Sequence, residues 1–265
     1  MSLAIAVRRP ARRLKLDLAN GTGVGALAVL SGALLWQLIG MLGHLSWLPP
    51  LSAVLAKLGG LWSDGQLQAP LLESLGNLVA GYSISVVAGV GIGTLMALFP
   101  KVNYALRVYV NALLMAPSIV MAPIFFVFFG LSRWTLIAVI LLYTIVFIIV
   151  NTYTAVTEVS PSLPEMAACF GASRRQIFFD VTVRAAGPLL MAGLRLGLAR
   201  SVKGMINGEI FIALVGLGAL DDDFDGSFDV AGILSIALVV VIIAVGTLAL
   251  LQIVNRRVNA WTEAR

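Results

Sequence analysis

Four charged residues stand in one apolar stretch of the sequence, and their side chains are the first candidates for chemistry. They are Arg195, Arg200, Lys203 and Glu209, and the stretch, residues 185–220, is long enough to cross a bilayer. A charge near the bilayer centre costs at least about 2.5 kcal/mol, so such residues face protein or water. The chemistry that they offer is the binding and guiding of a charged solute.

Lys203 and Glu209 do not pair with each other on a regular helix, because six residues correspond to about 240° around its axis. We predict that Lys203, Asn207 and Glu209 border a solute path together with Ser118, and that Lys203 attracts an anion. A structural pair with a neighbouring span is the alternative. Arg195 is interpreted as an anchor at the membrane interface.

The composition indicates an integral membrane protein of helices. Hydrophobic residues make up 60% of the chain, charged residues 12%, and the mean hydropathy is +0.99, whereas a soluble domain has about a quarter charged residues. A helix needs about 20 apolar residues to span a bilayer. The sequence predicts six such spans, at residues 23–42, 74–99, 108–129, 134–157, 185–220 and 230–254.

Lysine and arginine are concentrated on one side of these six spans. Thirteen lie in one set of connections and only two in the other, so the positive-inside rule places the richer side, with both termini, in the cytoplasm. The thirteen are Arg8, Arg9, Arg12, Arg13, Lys15, Lys101, Arg107, Arg174, Arg175, Arg184, Arg256, Arg257 and Arg265, and the two are Lys57 and Arg133. We predict one transmembrane domain over residues 1–265, with cytoplasmic tails at 1–22 and 255–265.

A polar segment at residues 158–184, between the fourth and fifth spans, carries two patterns that start helices. An S-x-x-E pattern begins at Ser162 and an S-x-x-Q pattern at Ser173, and both are capping boxes. Gly171 between them permits the left-handed turn that ends a helix. The sequence therefore predicts a short helix, a tight turn and a second helix on the cytoplasmic side.

Arg174 and Arg175 fall in the first turn of that second helix, where the helix dipole disfavours cations. Acidic groups of a partner, anionic lipid headgroups or simple solvation are the three ways to compensate them. All three remain open from the sequence.

Two outer segments have distinct compositions. Residues 48–68 resemble an amphipathic helix at the membrane interface, flanked by Trp47 and Trp62. The other is an acidic loop, in which a solvated loop and a docking site for a basic partner are both plausible. Its acidic residues are Asp221, Asp222, Asp223 and Asp225, with Asp229 close behind.

Several functions are excluded by what the sequence lacks. Cys169 is the single cysteine and His44 the single histidine, so a cysteine or histidine metal cluster is not expected. There is no GxxxxGK[ST] motif for nucleotide phosphates. The net charge of +5 follows from topology and indicates no nucleic-acid surface. We expect no catalysis and no bound cofactor in this chain.

Small residues recur every four positions in the second and fifth spans. The rows are Gly81, Ser85, Gly89 and Gly93 in the second, and Gly193, Gly197 and Ser201 in the fifth. Such rows let helices approach closely in lipid. We predict that these two spans pack on each other or across a dimer.

The polar segment resembles the E-A-A-x-x-x-G loop of ABC importer permeases. The match runs through Glu165-Met166-Ala167-Ala168-Cys169-Phe170-Gly171-Ala172 and continues with Phe178 and Val181. Further similarity over residues 48–257 lies at Leu48 to Ser52, Ala116-Pro117-Ser118, Pro123, Asn151-Thr152 and Gly193-Leu194-Arg195. The pattern is similar to the permeases of the nitrate, sulfonate and taurine import group, although Asn77 stands where those often have arginine.

This resemblance implies a multi-pass bacterial inner-membrane permease with six spans. Its implied partners are a cytoplasmic ABC ATPase dimer that binds ATP and Mg, a second permease copy and an external solute-binding protein. The implied solute is a small anion. The alternative to an ATP-driven importer is a secondary transporter that is driven by an ion gradient and has no ATPase partner. The residues assigned to ATPase coupling are Glu165, Ala167, Gly171, Ala172, Arg174, Arg175 and Phe178.

Overall fold

A computed structural model describes residues 21–43, 47–116, 118–212 and 215–258. In these four stretches every regular element is a helix, which confirms the all-α prediction. The helices are α1 (Gly21–Leu42), α2 (Leu51–Ser63), α3 (Gln68–Leu98), α4 (Pro100–Met115), α5 (Ser118–Phe129), α6 (Arg133–Thr157), α7 (Ser162–Cys169), α8 (Arg174–Gln176), a π-helical segment (Ile177–Thr182), α9 (Val183–Ile212), α10 (Gly216–Gly226) and α11 (Val230–Val258). The basic N-terminus up to residue 20, His44, Pro117 and residues 259–265 lie outside the described residues.

The chain divides into two compact units, residues 1–53 and 54–265. In the first, the Trp36 indole donates to the Pro49 carbonyl at 3.1 Å and the Gln37 amide donates to Ser52 Oγ at 3.0 Å. The predicted interfacial segment at residues 48–68 forms helix α2. Its position at a membrane surface stays a prediction, as does the single-domain organisation.

Within the described residues, five helices are long and apolar enough to span a membrane, and six spans result if α4 and α5 count as one bent span. The third predicted span, at residues 108–129, is sharply bent, because α4 and α5 meet at 109°. Ala116 is extended at φ −66° and ψ 131°. Proline disfavours helical geometry in the residue before it, so Pro117 explains why α4 ends at Met115.

The fifth span also ends earlier than predicted. α9 stops at Ile212, and α10 begins at Gly216, whose φ of +64° is left-handed. A glycine adopts that geometry without strain. The acidic residues predicted to form a loop are therefore carried by the helix α10.

Helix α6 lies between α3 and α9, and the glycine rows of both neighbours face it. A Cβ at Gly89 would lie 2.8 Å from Ile148 Cγ2, and one at Gly197 would lie 2.8 Å from Ile148 Cγ1. The close packing that the two rows predict is made with α6, which both rows accommodate. Direct contact between α3 and α9 includes Tyr82, whose hydroxyl donates to the Leu194 carbonyl at 3.0 Å.

The order of these contacts gives the helix directions. Along α6, Ile140 and Thr152 meet Gly81 and Gly93 of α3, so the two helices are parallel. Gly193 of α9 instead meets Asn151, near the end of α6, so α9 is antiparallel. We call the end of the bundle that holds residues 158–184 the α7 end, and the opposite end the α10 end.

Candidate functional site

The α7 end carries the helix, turn and helix that the sequence predicts. Gly171 ends α7 with φ +81°. Ser173 then caps α8: the Gln176 amide donates to Ser173 Oγ at 3.4 Å and the Ser173 amide donates to Gln176 Oε1 at 2.8 Å. The second capping box is therefore confirmed, and the turn has the left-handed residue that it requires.

The first capping box was wrong. Pro161 is the N-cap residue of α7 and Ser162 is already helical, so no side chain caps this helix. The amides of Leu163 and Glu165 instead donate to the carbonyls of Ser160 and Pro161 at 3.1 Å each. Because the backbone supplies these acceptors one residue earlier, the Ser162 hydroxyl is left to bond Ser160 at 2.8 Å.

Large apolar side chains project from this segment. Phe170 is 86% exposed, and Met166 and Phe179 are also exposed. Phe178, the predicted coupling aromatic, is half-buried and packs edge-to-face on Phe179 with ring centroids 5.0 Å apart. The sequence interpretation missed Phe170 and Phe179 as surface groups, although aromatics beside a polar turn were the available signal.

The other predicted coupling residues surround these apolar groups. Glu165, Gly171 and the two arginines of α8 are exposed, whereas Ala167 and Ala172 are half-buried. The segment thus presents a mixed surface, in which apolar side chains stand among charges and small residues. Such a patch is characteristic of a contact with another protein or with a membrane surface.

Lys203 and Asn207 lie on α9 beside α6. The Lys203 side chain is exposed, and the Asn207 amide donates to the Tyr143 hydroxyl at 3.0 Å. Arg200, one turn before, is half-buried with its guanidinium carbon 4.1 Å from the ring centroid of Phe147. We call the contact line between α9 and α6 at these residues the seam. The structure brings Lys203 and Asn207 to this seam, and it adds Tyr143 and Phe147 of α6 as their neighbours.

Glu209 is placed elsewhere. It is 2% exposed and packs under the first turn of α10, against Ser74 and Gly216. In that turn the Gly216 amide donates to Glu73 Oε2 at 3.1 Å and the Leu217 amide donates to Ser74 Oγ at 2.9 Å. The structure thus does not bring Glu209 to the Lys203 seam.

Two further residues that the sequence analysis singled out are Ser118 and Asn77. Ser118 begins α5, and its side chain is not among those described. Asn77 stands at the position where similar permeases often have arginine. It is fully buried and accepts a hydrogen bond from Arg133 Nε at 2.7 Å. An arginine does meet this position, but it comes from the start of α6.

Helix α10 carries its acidic residues on an exposed face. Asp222, Asp223 and Asp225 are exposed, whereas Phe224 is buried and anchors the helix. Asp221 is half-buried, and burial together with its acidic neighbours raises its pKa. The predicted docking residues therefore form a helical surface of negative charge.

Lys57 of α2 holds the far end of this helix. Its Nζ lies 2.6 Å from Asp229 Oδ2 and 4.9 Å from the ring centroid of Phe224. The hydrogen bond from Lys57, followed by one from the Gly232 amide, lowers the pKa of Asp229. The corner between α10 and α11 is thus tied to α2 by one ion pair and one cation–π contact.

We expect this ion pair to make the stability of the protein depend on pH. The pKa of Asp229 is lower in the folded protein than in the unfolded chain. The ion pair therefore contributes fully to the free energy of unfolding above the unfolded pKa of about 3.9, and this contribution is lost as the pH falls through the folded pKa. The wild-type Tm in detergent should fall more steeply between pH 5 and pH 3 than that of Asp229→Asn, by differential scanning fluorimetry. Asp64→Asn is the control, since Asp64 forms no ion pair among the described residues; equal acid slopes for wild type and Asp229→Asn would contradict the expectation.

Comparison with known proteins finds permeases of membrane transport systems. Residues 87–260 match the model of the family described as binding-protein-dependent transport system inner membrane component. The chain is 28% identical to the taurine transport system permease protein TauC of Escherichia coli (strain K12), over 98% of each chain. It is 29% identical to the riboflavin transport system permease protein RibX of Chloroflexus aurantiacus, over 82% of this chain and 79% of the relative.

A solved structure has the same fold. It is described as the MetNI methionine ABC transporter in inward-facing conformations, and it matches with a TM-score of 0.58 and 20% identity. The match covers 71% of this chain and 93% of that chain.

Proposed function

The chain belongs to the family of binding-protein-dependent transport system inner membrane components, the ABC importer permeases of the bacterial inner membrane, and we propose that it forms the solute path and couples it to a separate ATPase. Within that role the chain hydrolyses no ATP itself. ATP and Mg are bound by the partner, a cytoplasmic dimer. The α7 end faces the cytoplasm, in keeping with the bias of lysine and arginine.

The coupling surface is the segment at residues 158–184. The observation that carries this proposal is Phe170, which is 86% exposed beside the left-handed turn at Gly171. A well-packed partner groove would cover it, and aromatic anchors of this kind dominate protein interfaces. The small residues Ala167 and Ala172 permit close approach, and Arg174 and Arg175 then meet acidic groups of the ATPase.

The solute path runs along the seam of α9 and α6 that carries Lys203 and Asn207. Lys203 is exposed in the middle of a spanning helix, where facing lipid would be expensive. A water-filled path between this chain and a second copy satisfies that charge. For Glu209 we propose a different role, holding the start of α10 against α9.

The solute is a small anion of the nitrate, sulfonate or taurine type. The positive charge of Lys203 favours an anion. The relative TauC is named as a permease for taurine, which is a sulfonate. The relative RibX is named as a permease for riboflavin, which indicates that the same fold also serves a larger solute. The external binding protein docks at the α10 end, where the exposed acidic face of α10 meets basic residues.

The test is reconstitution in nanodiscs with the cognate ATPase and the binding protein. The expected result is a stable complex whose ATP hydrolysis rises several-fold with loaded binding protein and falls in Glu165→Ala. Taurine, a sulfonate, nitrate and riboflavin are compared as solutes. If no ATPase associates and transport follows an ion gradient, the chain is a secondary transporter and the proposal is wrong.

A further inference from the structure

The seam of α9 and α6 carries a second cation in addition to Lys203. Arg200 and Asn207 lie three residues before and four residues after Lys203, spacings that place all three on one face of a helix. Leu196 and Ile210, each seven residues from Lys203, are exposed on the same face. This face is therefore polar in its middle and apolar at both ends.

Neighbouring side chains of α6 fix the geometry of this face. The Phe147 ring lies under the Arg200 guanidinium at 4.1 Å, and the Tyr143 hydroxyl accepts from the Asn207 amide at 3.0 Å. A cation–π contact leaves the positive charge of the guanidinium in place, and the hydrogen bonds among the described residues include none from Arg200, so its N–H donors stay available. Phe147 and Tyr143 thus position the donors without neutralising them.

Within the part of the chain that the structure describes, no carboxylate pairs with these cations. Among the described residues, the salt bridges are Lys57 with Asp229 and Arg184 with Asp180, and none involves Arg200 or Lys203. Glu209, the only acidic residue of α9, is buried on another side under α10. Two positive charges one turn apart in a spanning helix are costly if they face lipid, so we expect this face to border water, where an anion can bind to both.

We propose that Arg200 and Lys203 form two successive anion-binding positions along the solute path, with Phe147 and Tyr143 as their positioning residues. The inference rests on the proposed function, because it needs this face of α9 to border the path. The two positions are about 4.5 Å apart along the axis, so one oxyanion passes between them without losing contact. The ligands are small anions with sulfonate, carboxylate or comparable oxygens, which accept hydrogen bonds from a guanidinium edge.

The chain offers a direct test, since Cys169 is its single cysteine. In a Cys169→Ser background, Leu196→Cys places a thiol on the same face one turn from Arg200, at a site that is 44% exposed. The nanodisc complex is treated with two thiol reagents of similar size, one bearing a sulfonate and one a trimethylammonium group. The small free thiol 2-mercaptoethanol, which no protein charge surrounds, serves as the reference and gives the intrinsic ratio of their rates.

The expected result is a preference for the anionic reagent at position 196 of about tenfold over the reference thiol. Arg200→Lys should retain that preference, whereas Arg200→Gln with Lys203→Gln should remove most of it and leave only the smaller part that is due to the adjacent Arg195. Phe147→Leu should lower it only in part, because the charge stays but its position is lost. The preference at position 196 is first measured with Arg200 and Lys203 both present. That result therefore does not depend on whether the variants that remove charge fold.

Two outcomes would overturn the inference. Equal normalised rates for both reagents mean that the cations do not select anions. No reaction with either reagent means that the face is covered by lipid or protein and is no path. ATPase association and stimulated hydrolysis are measured on the same background, so an anion preference without an ATPase partner would refute the importer and leave the selective face standing.

Discussion

Phe170→Asp is expected to reduce ATPase association and stimulated ATP hydrolysis by at least about tenfold. The Phe170 side chain is 86% exposed in the single chain, so its loss removes little packing within the permease. In the complex it would be buried in a partner groove, where truncating an aromatic anchor costs about 2 kcal/mol or more. Aspartate adds a charge that such a groove would have to desolvate.

Phe228→Asp is the matched control for this substitution. Phe228 is 88% exposed, and it lies at the opposite end of the bundle, after α10. Its φ of +55° is left-handed, a geometry that aspartate tolerates better than phenylalanine. Hydrolysis measured with permease and ATPase alone should therefore be unchanged in Phe228→Asp, and an equal loss in both variants would contradict a coupling surface at Phe170.

Gly93→Ala is expected to destabilise the protein by about 1–3 kcal/mol, the usual cost of overpacking. A Cβ at Gly93 would lie 2.6 Å from the Ile149 carbonyl oxygen and 2.7 Å from Thr152 Cβ. The first of these atoms belongs to the backbone of α6, which no rotamer change can move aside. Helices α3 and α6 would have to separate at the α7 end.

Gly91→Ala separates this effect from helix propensity. Gly91 lies on the same helix, and a Cβ there would meet nothing within 4 Å. Alanine favours helix by up to about 1 kcal/mol over glycine, so this variant should be neutral or slightly stabilised. Thermal unfolding in detergent checks both; similar midpoints for the two variants would mean that the glycine row does not set the helix spacing.

Local features of the fold were predictable from the sequence. The apolar lengths located α1, α3, α6 and α11 closely, since backbone groups in lipid must be satisfied within each helix. The Ser173 capping box was predictable for a similar reason, because all its hydrogen bonds lie within four residues. The failure at Ser162 was also local, since backbone carbonyls outcompeted the side chain for the same amides.

Contacts between distant segments were not predictable. Periodicity shows that Gly89 and Gly197 belong to small-residue rows, but it does not say which helix fills the groove. Glu209 was chosen for its charge, and its burial under α10 depends on residues such as Ser74 that are more than a hundred positions away. Of the candidate site, the sequence predicted the residue types on α9, and the structure added Phe147 and Tyr143 as their neighbours.

The position of Ile148 between two glycines constrains how this protein can change during evolution. One branch of its side chain occupies the space at Gly89 and another the space at Gly197, so a larger residue at either glycine requires a smaller one at 148. Such a change leaves the other groove underfilled, which favours a compensating enlargement there. Among homologues, these three positions should therefore vary as a set, and substitutions found singly at any of them should be rare.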